Sequence, residues 1–332
     1  MHDMNTVSFP GLGIGEIELN PTAIPALGVE WYAIIICAAI LIAVFVCERL
    51  AKRFGIKGDD VLDAVLFGIP AGVIGARLWY IVGDLDSFDS FVDMISVWNG
   101  GLAIYGGVAG AVLTGYFVCK YKKISFPNML DLVAIGFLIG QIIGRWGNFV
   151  NVEVFGCETD LPWRMGVGID GVVNGTFVHP LFLYESLWNL IGLIAVFVYM
   201  DSRKFKGELF LMYLAWYGLG RSWMEPLRDE AYILGEGGLF FNQILAIALV
   251  AVSLALIVMI RIKKPKRLMI PIAAKEEGSD YESQFEYARE ESEEQLEEPI
   301  DETAIEELYE LDGADEDDIK ASEEDAEDGE NN

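Results

Sequence analysis

Histidine and cysteine are scarce in this chain of 332 residues. The two histidines, His2 and His179, exclude a multi-histidine metal centre. The four cysteines show no paired spacing, so we expect neither a disulfide scaffold nor a zinc site. They are Cys37, Cys47, Cys119 and Cys157. We therefore expect no metal and no cofactor.

Basic residues are also few, and they are unevenly distributed. The chain has 23 lysines and arginines against 51 acidic residues, a formal net charge of −28, and yet it is 53% hydrophobic. Residues 275–332 contain 27 of the acidic side chains and three basic ones, a net charge of −24. The rest is nearly neutral and very apolar, which excludes a soluble single domain and a nucleic-acid binder of the usual basic kind. The acidic segment has too little apolar surface to offset its chain entropy, so we expect a disordered tail.

Seven apolar stretches are long enough to cross a bilayer core of roughly 30 Å, which takes about 20 helical residues. They are residues 30–48, 61–83, 101–119, 128–147, 180–200, 208–226 and 240–261. The first lacks the basic flank and the small-residue cleavage site of a signal peptide. The sequence therefore predicts an all-α polytopic membrane protein with seven transmembrane helices.

Lysine and arginine are concentrated in alternate loops. Fifteen of the 20 basic residues outside the tail follow the first, third, fifth and seventh spans. Because such loops stay in the cytoplasm, we expect the N-terminus outside and the C-terminus in the cytoplasm. The predicted parts are an extracytoplasmic N-terminal segment 1–29, a membrane domain 30–262, a basic juxtamembrane segment 263–274 and the acidic cytoplasmic tail 275–332.

The five remaining basic residues are all arginines, in or beside the outer half of the membrane. They are Arg77, Arg145, Arg164, Arg221 and Arg228. An arginine at a helix centre costs about 2.5–3.5 kcal/mol on insertion scales, so its presence indicates function. Its planar guanidinium group can donate two parallel hydrogen bonds to the oxygens of one phosphate or carboxylate. Internal pairing with acidic residues such as Glu185 and Glu225 stays open for any single arginine.

Glycines flank two of these arginines. Arg145 lies in GRWGNFVNVEVFG, residues 144–156, and Arg221 follows Gly220. Small residues permit close helix packing or the approach of a bulky ligand. Asn148 lies one helical turn after Arg145, and the pair predicts a cradle for phosphate and glycerol oxygens. A helix end whose asparagines satisfy backbone groups is the alternative.

The segment GRWGNFVNVEVFG resembles the signature of prolipoprotein diacylglyceryl transferases. Other matching blocks follow in order along roughly residues 28–262, which leaves out the acidic tail. They are Glu30-Trp31-Tyr32, Gly75-Ala76-Arg77, GGLAIYGG at residues 100–107, His179-Pro180 with Leu183-Tyr184-Glu185, and the stretch from Tyr217 through Arg221 to Glu225.

The resemblance implies an enzyme of the bacterial cell membrane that uses no cofactor. Such an enzyme moves the diacylglyceryl group of phosphatidylglycerol to the lipobox cysteine thiol of a preprolipoprotein signal peptide. A thioether forms and glycerol phosphate is released.

The resemblance also implies roles for individual residues. Arg145 and Arg221 are the catalytic arginines that bind phosphate and stabilise the leaving group. The implied substrate-binding residues are Tyr32, Arg77, Asn148, Glu153, His179, Tyr217 and Glu225. Tyr105, counted as the third catalytic residue, stands where many members carry a histidine proposed to activate the thiol.

Two departures from the family pattern deserve notice. A phenol such as that of Tyr105 is a poor base near neutral pH, so the general base stays open. His179 is the only other ring available, and its place before Pro180 fits a helix start equally well. Val152 replaces a glycine common in the signature, a change that we interpret as tolerated.

Two other classes of function fit parts of the pattern. A transporter or flippase for an anionic lipid or solute would also use outer-half arginines and glycine-broken helices, but the sequence contains no internal repeat. A structural scaffold with internally paired arginines does not explain why all five outer basic residues are arginine.

Overall fold

Helices dominate the computed structural model of this chain, which describes residues 5–85, 88, 90–97, 100–169, 172–228 and 241–270. The helices in these ranges are α1 (Trp31–Leu50), α2 (Gly58–Gly83), α3 (Phe91–Ile95), α4 (Ile104–Tyr121), α5 (Phe126–Asn151), α6 (Leu181–Tyr199), α7 (Glu208–Met224) and α8 (Phe241–Lys263). All except the short α3 overlap one of the seven predicted spans. The acidic tail, residues 275–332, lies outside the described residues.

Among the residues that the structure describes, five helical stretches are long and apolar enough to cross a membrane. They are Trp31–Phe54, Gly58–Gly83, Phe126–Asn151, Leu181–Ser202 and Asn242–Lys263. Helix α4 falls short because glycines and Lys120 dilute its apolar character, and α7 has only 17 residues with Glu208 and Arg221 among them. The prediction of a mostly helical multi-pass membrane protein is confirmed. The count of seven spans and the orientation of the termini stay predictions.

Helix α5 lies at the centre of the bundle, where it packs against α1, α6 and α7. Leu132, Ile135 and Leu138 in its first half are almost completely buried, in one cluster with Phe54 and Leu209. Between helices in a bilayer, such side chains stabilise the contact by van der Waals packing, because lipid tails are as apolar as the side chains themselves. The core therefore holds α5 firmly, and the second half of the helix carries Arg145.

Helices α2 and α4 approach each other through glycines. A Cβ built on Gly75 would collide with the carbonyl group of Gly106, and one built on Gly106 would collide with that of Gly75. Gly110 meets the backbone of Ala71 in the same way. This contact is the tight helix packing that small residues permit.

We expect Gly75→Val to destabilise the protein by about 1–3 kcal/mol, because overpacking forces α2 and α4 apart. Gly68 lies on the same helix, but a Cβ there would meet nothing within 4 Å. Gly68→Val is therefore the matched control. Thermal unfolding in detergent should show a lower midpoint for Gly75→Val alone. Equal midpoints for the two variants would contradict the close packing.

Two small antiparallel sheets, which the all-α prediction did not include, accompany the helices. Strands β1 (Asn5–Phe9), β2 (Ile14–Leu19), β5 (Met165–Ile169) and β6 (Val172–Val178) pair in the order β2-β1-β5-β6, and β3 (Thr22–Ile24) pairs with β4 (Val29–Glu30). Val7 of β1 lies opposite Val167 of β5 and is fully buried. The N-terminal segment is thereby folded onto the loop between α5 and α6.

The loops rich in lysine and arginine meet at the end of the helix bundle opposite the sheets. Arg203 donates to the backbone carbonyl of Arg53 at 3.0 Å, and Lys122 pairs with Asp60 at 2.9 Å. Asp131, on the first turns of α5, is fully buried and accepts from the amides of Gly207 and Phe210. Alternate loops of an up-and-down bundle must share one end, so this arrangement agrees with the basic-loop pattern.

The basic segment after α8 returns to the loop between α6 and α7. The amide of Lys206 donates to the carbonyl of Leu268 at 2.8 Å, and that of Ile270 donates to Lys204 at 3.3 Å. Phe205, between them, is fully buried. The juxtamembrane segment is therefore held by backbone pairing as far as Ile270.

Candidate active site

Three helices bring two arginines to one buried glutamate. Glu185 on α6 pairs through Oε2 with Nη2 of Arg145 on α5, and its Oε1 lies 4.0 Å from Nη1 of Arg221 on α7. The glutamate side chain is 9% exposed. Two positive charges and one negative charge are thus gathered where little water reaches them, so each interaction is stronger than at the surface.

The contacts continue beyond Arg145 along the end of α5. Its Nη1 donates to Oδ1 of Asn148 at 3.3 Å, and Nδ2 of Asn148 donates to Oε1 of Glu153 at 2.8 Å. Helix α5 ends at Asn151, and its C-cap residue Val152 has a φ of +52°, in the left-handed region that favours glycine. That backbone conformation explains why a glycine is suited to this position, and the valine accepts strain of about 1–3 kcal/mol there.

The contacts also continue beyond Arg221. Its Nη2 pairs with Oε2 of Glu225 at 2.9 Å, and Oε1 of Glu225 accepts from Nδ2 of Asn242 at 2.8 Å. We call the resulting series the polar network: Glu153, Asn148, Arg145, Glu185, Arg221, Glu225 and Asn242. Five of its seven members are predicted site residues. Glu185 was noted in the sequence as an available ion-pair partner and within a matching block, but without a role in the site, and Asn242 carried no signal.

A cavity of about 20 Å³ adjoins Glu185, and its walls include Gln141, Arg145, Trp188, Tyr217 and Arg221. Such a volume holds about one water molecule. A lipid head group therefore enters only if these side chains move apart. Oε1 of Glu185 and Oε1 of Gln141 are buried, and neither accepts a hydrogen bond from any residue that the structure describes.

Arg228, one of the five outer arginines, is a neighbour of the polar network that the site prediction omitted. Burial lowers the pKa of its guanidinium, Arg221 and Arg145 lower it as well, and Glu185 and Glu225 raise it. Its usual pKa is so high that it stays charged. Within the described ranges, no carboxylate forms an ion pair with Arg228, which suits it to a ligand anion.

The last glycine of the signature holds Arg228 in place. The amide of Gly156 donates to the carbonyl of His179 at 2.9 Å, and the amide of Cys157 donates to that of Leu227 at 2.7 Å. A Cβ on Gly156 would lie 2.7 Å from both the Cβ of His179 and the carbonyl oxygen of Leu227. Three segments of the chain thus meet where only glycine fits.

His179 lies outside the polar network. Its Nδ1 is 3.2 Å from the hydroxyl of Tyr184, which also accepts from Nε1 of Trp163 at 2.6 Å. Burial lowers the pKa of His179, so the ring is neutral at pH 7. Its backbone bonds immediately precede α6, which favours the helix-start interpretation.

The three tyrosines among the predicted site residues occupy different places. Tyr217 lines the cavity. Tyr32 on α1 lays its ring against α5 at Gly147, where a Cβ would lie 2.7 Å from the ring. Tyr105 on α4 is 54% exposed, and no hydrogen bond or ring contact joins it to the described part of the polar network.

The guanidinium group of Arg77 makes its contacts with other residues of the protein. It donates to the backbone carbonyl oxygens of Asp93, Met94, Gly100 and Gly101. The group also lies over the rings of Tyr80 and Phe88, and the residue is only 7% exposed. These contacts favour a role in holding the loop between α2 and α4 over the predicted role in substrate binding.

Two tryptophans tie α6 to α7 beside the cavity. The rings of Trp188 and Trp216 stack with centroids 4.3 Å apart, and each indole N–H donates to the backbone carbonyl of the other residue, at 3.1 and 3.0 Å. The Trp188 ring lies against Gly220 and the Trp216 ring against Gly192, where a Cβ would collide with it. This tryptophan pair sets the position of Arg221 relative to Glu185.

The arrangement suits anion binding and not metal binding. Among the described residues, no three histidine, cysteine, aspartate or glutamate side chains are placed to hold a metal ion. Guanidinium groups in a partly dehydrated site bind phosphate oxygens strongly. The tryptophans and the cavity tyrosine provide apolar surface next to these groups.

Comparison with known proteins gives a consistent result. The sequence model of the family described as prolipoprotein diacylglyceryl transferase matches residues 21–259. Proteins named phosphatidylglycerol–prolipoprotein diacylglyceryl transferase match over 94% of their own length. That of Listeria monocytogenes serotype 4a is 35% identical over 76% of this chain, that of Lysinibacillus sphaericus 38% over 74%, and that of Finegoldia magna 39% over 73%. The chain therefore belongs to the prolipoprotein diacylglyceryl transferase family.

Proposed function

We propose that this protein transfers the diacylglyceryl group of phosphatidylglycerol to the lipobox cysteine thiol of bacterial preprolipoproteins. The reaction forms a thioether and releases glycerol phosphate, and it is the first step of lipoprotein maturation. The observation that carries the proposal is the polar network, in which two half-buried arginines from different helices meet at one buried glutamate. A transporter or flippase is not favoured, because the relatives are named as transferases.

The arginines act on the phosphate in this scheme. When the bond between the glycerol carbon and the ester oxygen breaks, the departing glycerol phosphate gains negative charge. Arg145 and Arg221 stabilise that charge, and preorganised groups of this kind usually contribute the largest part of catalysis. Arg228, charged and without a carboxylate partner among the described residues, supplies a third guanidinium. Before the lipid binds, the negative charges of Glu185 and Glu225 compensate the positive charges of these arginines.

The other predicted residues surround this centre. Asn148 and Glu153 hold one side of Arg145, and Glu225 holds Arg221. Tyr217 lines the cavity beside Glu185. We assign lipid head-group binding to these four residues, with Tyr32 supporting the end of α5.

We further propose a site in the bacterial cell membrane that opens to the outer leaflet. The basic loops then lie in the cytoplasm, and the sheet that joins the N-terminal segment to the α5–α6 loop lies outside. The proposed parts are an outer segment 1–29, a catalytic membrane domain 30–262, a basic segment 263–274 and a cytoplasmic tail 275–332. The signal peptide of the preprolipoprotein and the lipid both reach the site from the bilayer.

The test is direct transfer by the purified full-length protein. It is incubated in detergent with phosphatidylglycerol and a lipobox peptide, and the peptide is examined by mass spectrometry. We expect the mass of diacylglycerol on the cysteine, and no change on a matched peptide with serine at that position. Phosphatidylethanolamine in place of phosphatidylglycerol controls for the head group. An unmodified cysteine peptide, with protein that thermal unfolding shows to be folded, would contradict the proposed function.

A further inference from the structure

Neither Tyr105 nor His179, the two rings weighed as the base, is placed to take the proton of the substrate thiol. Tyr105 has no hydrogen bond or ring contact to the described part of the polar network, and a phenol is a poor base at neutral pH. His179 is bound to Tyr184 at 3.2 Å. The transfer nevertheless needs a thiolate, because the thiol itself is a weak nucleophile.

Glu185 is the carboxylate that faces the cavity at the centre of the polar network. Its Oε2 is paired with Arg145, while its Oε1 is buried and accepts no hydrogen bond from a described residue. The side chain is 9% exposed and lines the cavity, and Oε1 lies 4.0 Å from Nη1 of Arg221, which lines the same cavity. One oxygen of this carboxylate is therefore available to accept a proton from a group that enters the cavity.

We propose that Glu185 is the catalytic base that accepts the proton of the lipobox cysteine thiol. The inference rests on the proposed function. It assigns to a buried glutamate on α6 the proton transfer for which neither Tyr105 nor His179 is placed.

The proton and charge balance of the step is complete. The thiol proton moves to Oε1 of Glu185, and the sulfur attacks the glycerol carbon that carries the phosphate ester. A carbon–sulfur bond forms, the carbon–oxygen bond breaks, and the electron pair leaves on the oxygen of glycerol phosphate. The lipid enters with one negative charge and glycerol phosphate leaves with two, so the charge lost by Glu185 appears on the leaving group. Arg145 and Arg221 are next to both.

The charged groups that face Glu185 from α5 and α7 are Arg145 and Arg221, and Arg228 acts on it from beyond α7. A phosphate that takes over these guanidinium groups replaces Glu185 as their anionic partner and leaves the carboxylate oxygens free to accept the thiol proton. Proton transfer is thereby coupled to the presence of the lipid.

The test is the pH dependence of transfer by the Glu185→Gln variant of the full-length protein, measured with saturating phosphatidylglycerol and a lipobox peptide. Glutamine keeps the shape of the side chain and cannot accept the proton. At pH 7 we expect a rate at least about 10²-fold below that of the unmodified protein, since general bases contribute about 10²–10⁴-fold. Near pH 10 the peptide thiol, with a pKa of about 8.5, is already ionised, and the two rates should come within a few-fold of each other.

Two further variants make the test specific. Glu185→Asp keeps a carboxylate and should recover part of the pH 7 rate. Glu225→Gln removes the other carboxylate of Arg221 but leaves Glu185 in place. We expect it to lower the rate by a factor that does not change with pH. Thermal unfolding of all three variants verifies that each is folded at the assay temperature.

The outcomes separate the two proposals. If the unmodified protein produces no lipidated peptide, the proposed function fails. If it is active and the ratio of its rate to that of Glu185→Gln is constant from pH 7 to pH 10, Glu185 is not the base. The same conclusion follows if Glu225→Gln shows an equal recovery at high pH, because the effect would then come from the charge balance of the network.

Discussion

Arg145→Lys and Arg221→Lys should each lower the rate of transfer by about 10²–10³-fold, the usual loss when one preorganised donor to a developing charge is removed. Each variant should still accumulate in the membrane. Lysine keeps the positive charge but offers a single ammonium group where arginine offers a planar fork. Arg145 uses two nitrogens at once, for Glu185 and Asn148, and Arg221 uses two for Glu185 and Glu225.

Arg164→Lys is the matched control for this experiment. Arg164 is another outer arginine, but its side chain lies over the ring of Phe177 at 4.9 Å and bonds only weakly to nearby backbone carbonyls. We expect Arg164→Lys to be almost as active as the unmodified protein. Near-normal transfer by both Arg145→Lys and Arg221→Lys would remove the bidentate phosphate role from the mechanism.

Arg77→Ala should destabilise the protein by several kcal/mol and leave the KM for phosphatidylglycerol nearly unchanged. A hydrogen bond from a charged donor contributes about 1.5–3 kcal/mol, and Arg77 donates to four backbone carbonyls. The loss should appear as a lower unfolding midpoint in detergent and a lower yield from membranes. Activity is measured well below that midpoint.

The same variant distinguishes the two roles discussed for Arg77. If it binds the substrate, Arg77→Ala should raise KM strongly and leave the unfolding midpoint where it is. That pattern would overturn the structural role derived from its contacts. Arg77→Lys should be intermediate in stability, because an ammonium group cannot reach all four carbonyls at once.

The residues that the sequence identified best were those whose type is unusual for their place. Arginine in an apolar helix is costly, so Arg145 and Arg221 indicated a site before any geometry was known. Asn148 followed from helical spacing and Glu225 from the family resemblance, and the structure places both beside those arginines. Glu185 was less visible, because a lone carboxylate in a helix gives no sign of which distant residues it faces.

The elements that the sequence analysis missed depend on non-local contacts. Strand β1 pairs with β5 across roughly 160 residues, with Val7 opposite Val167, and such short strands carry little periodicity of their own. Arg77 presents the same difficulty, because its partners are backbone carbonyls, which have no signature in the sequence. Gly75 and Gly106 were noted in the sequence only within blocks that match the family, and the structure shows that they pack α2 against α4.

The tryptophan pair between α6 and α7 has a consequence for how this sequence can change during evolution. Trp188 needs Gly220 and Trp216 needs Gly192, because each ring occupies the space that a Cβ on the facing glycine would take. A change at any one of the four positions leaves either a collision or a gap, and each tolerated change must be accompanied by a second one on the other helix. These positions should therefore covary as two linked pairs among descendants of this protein.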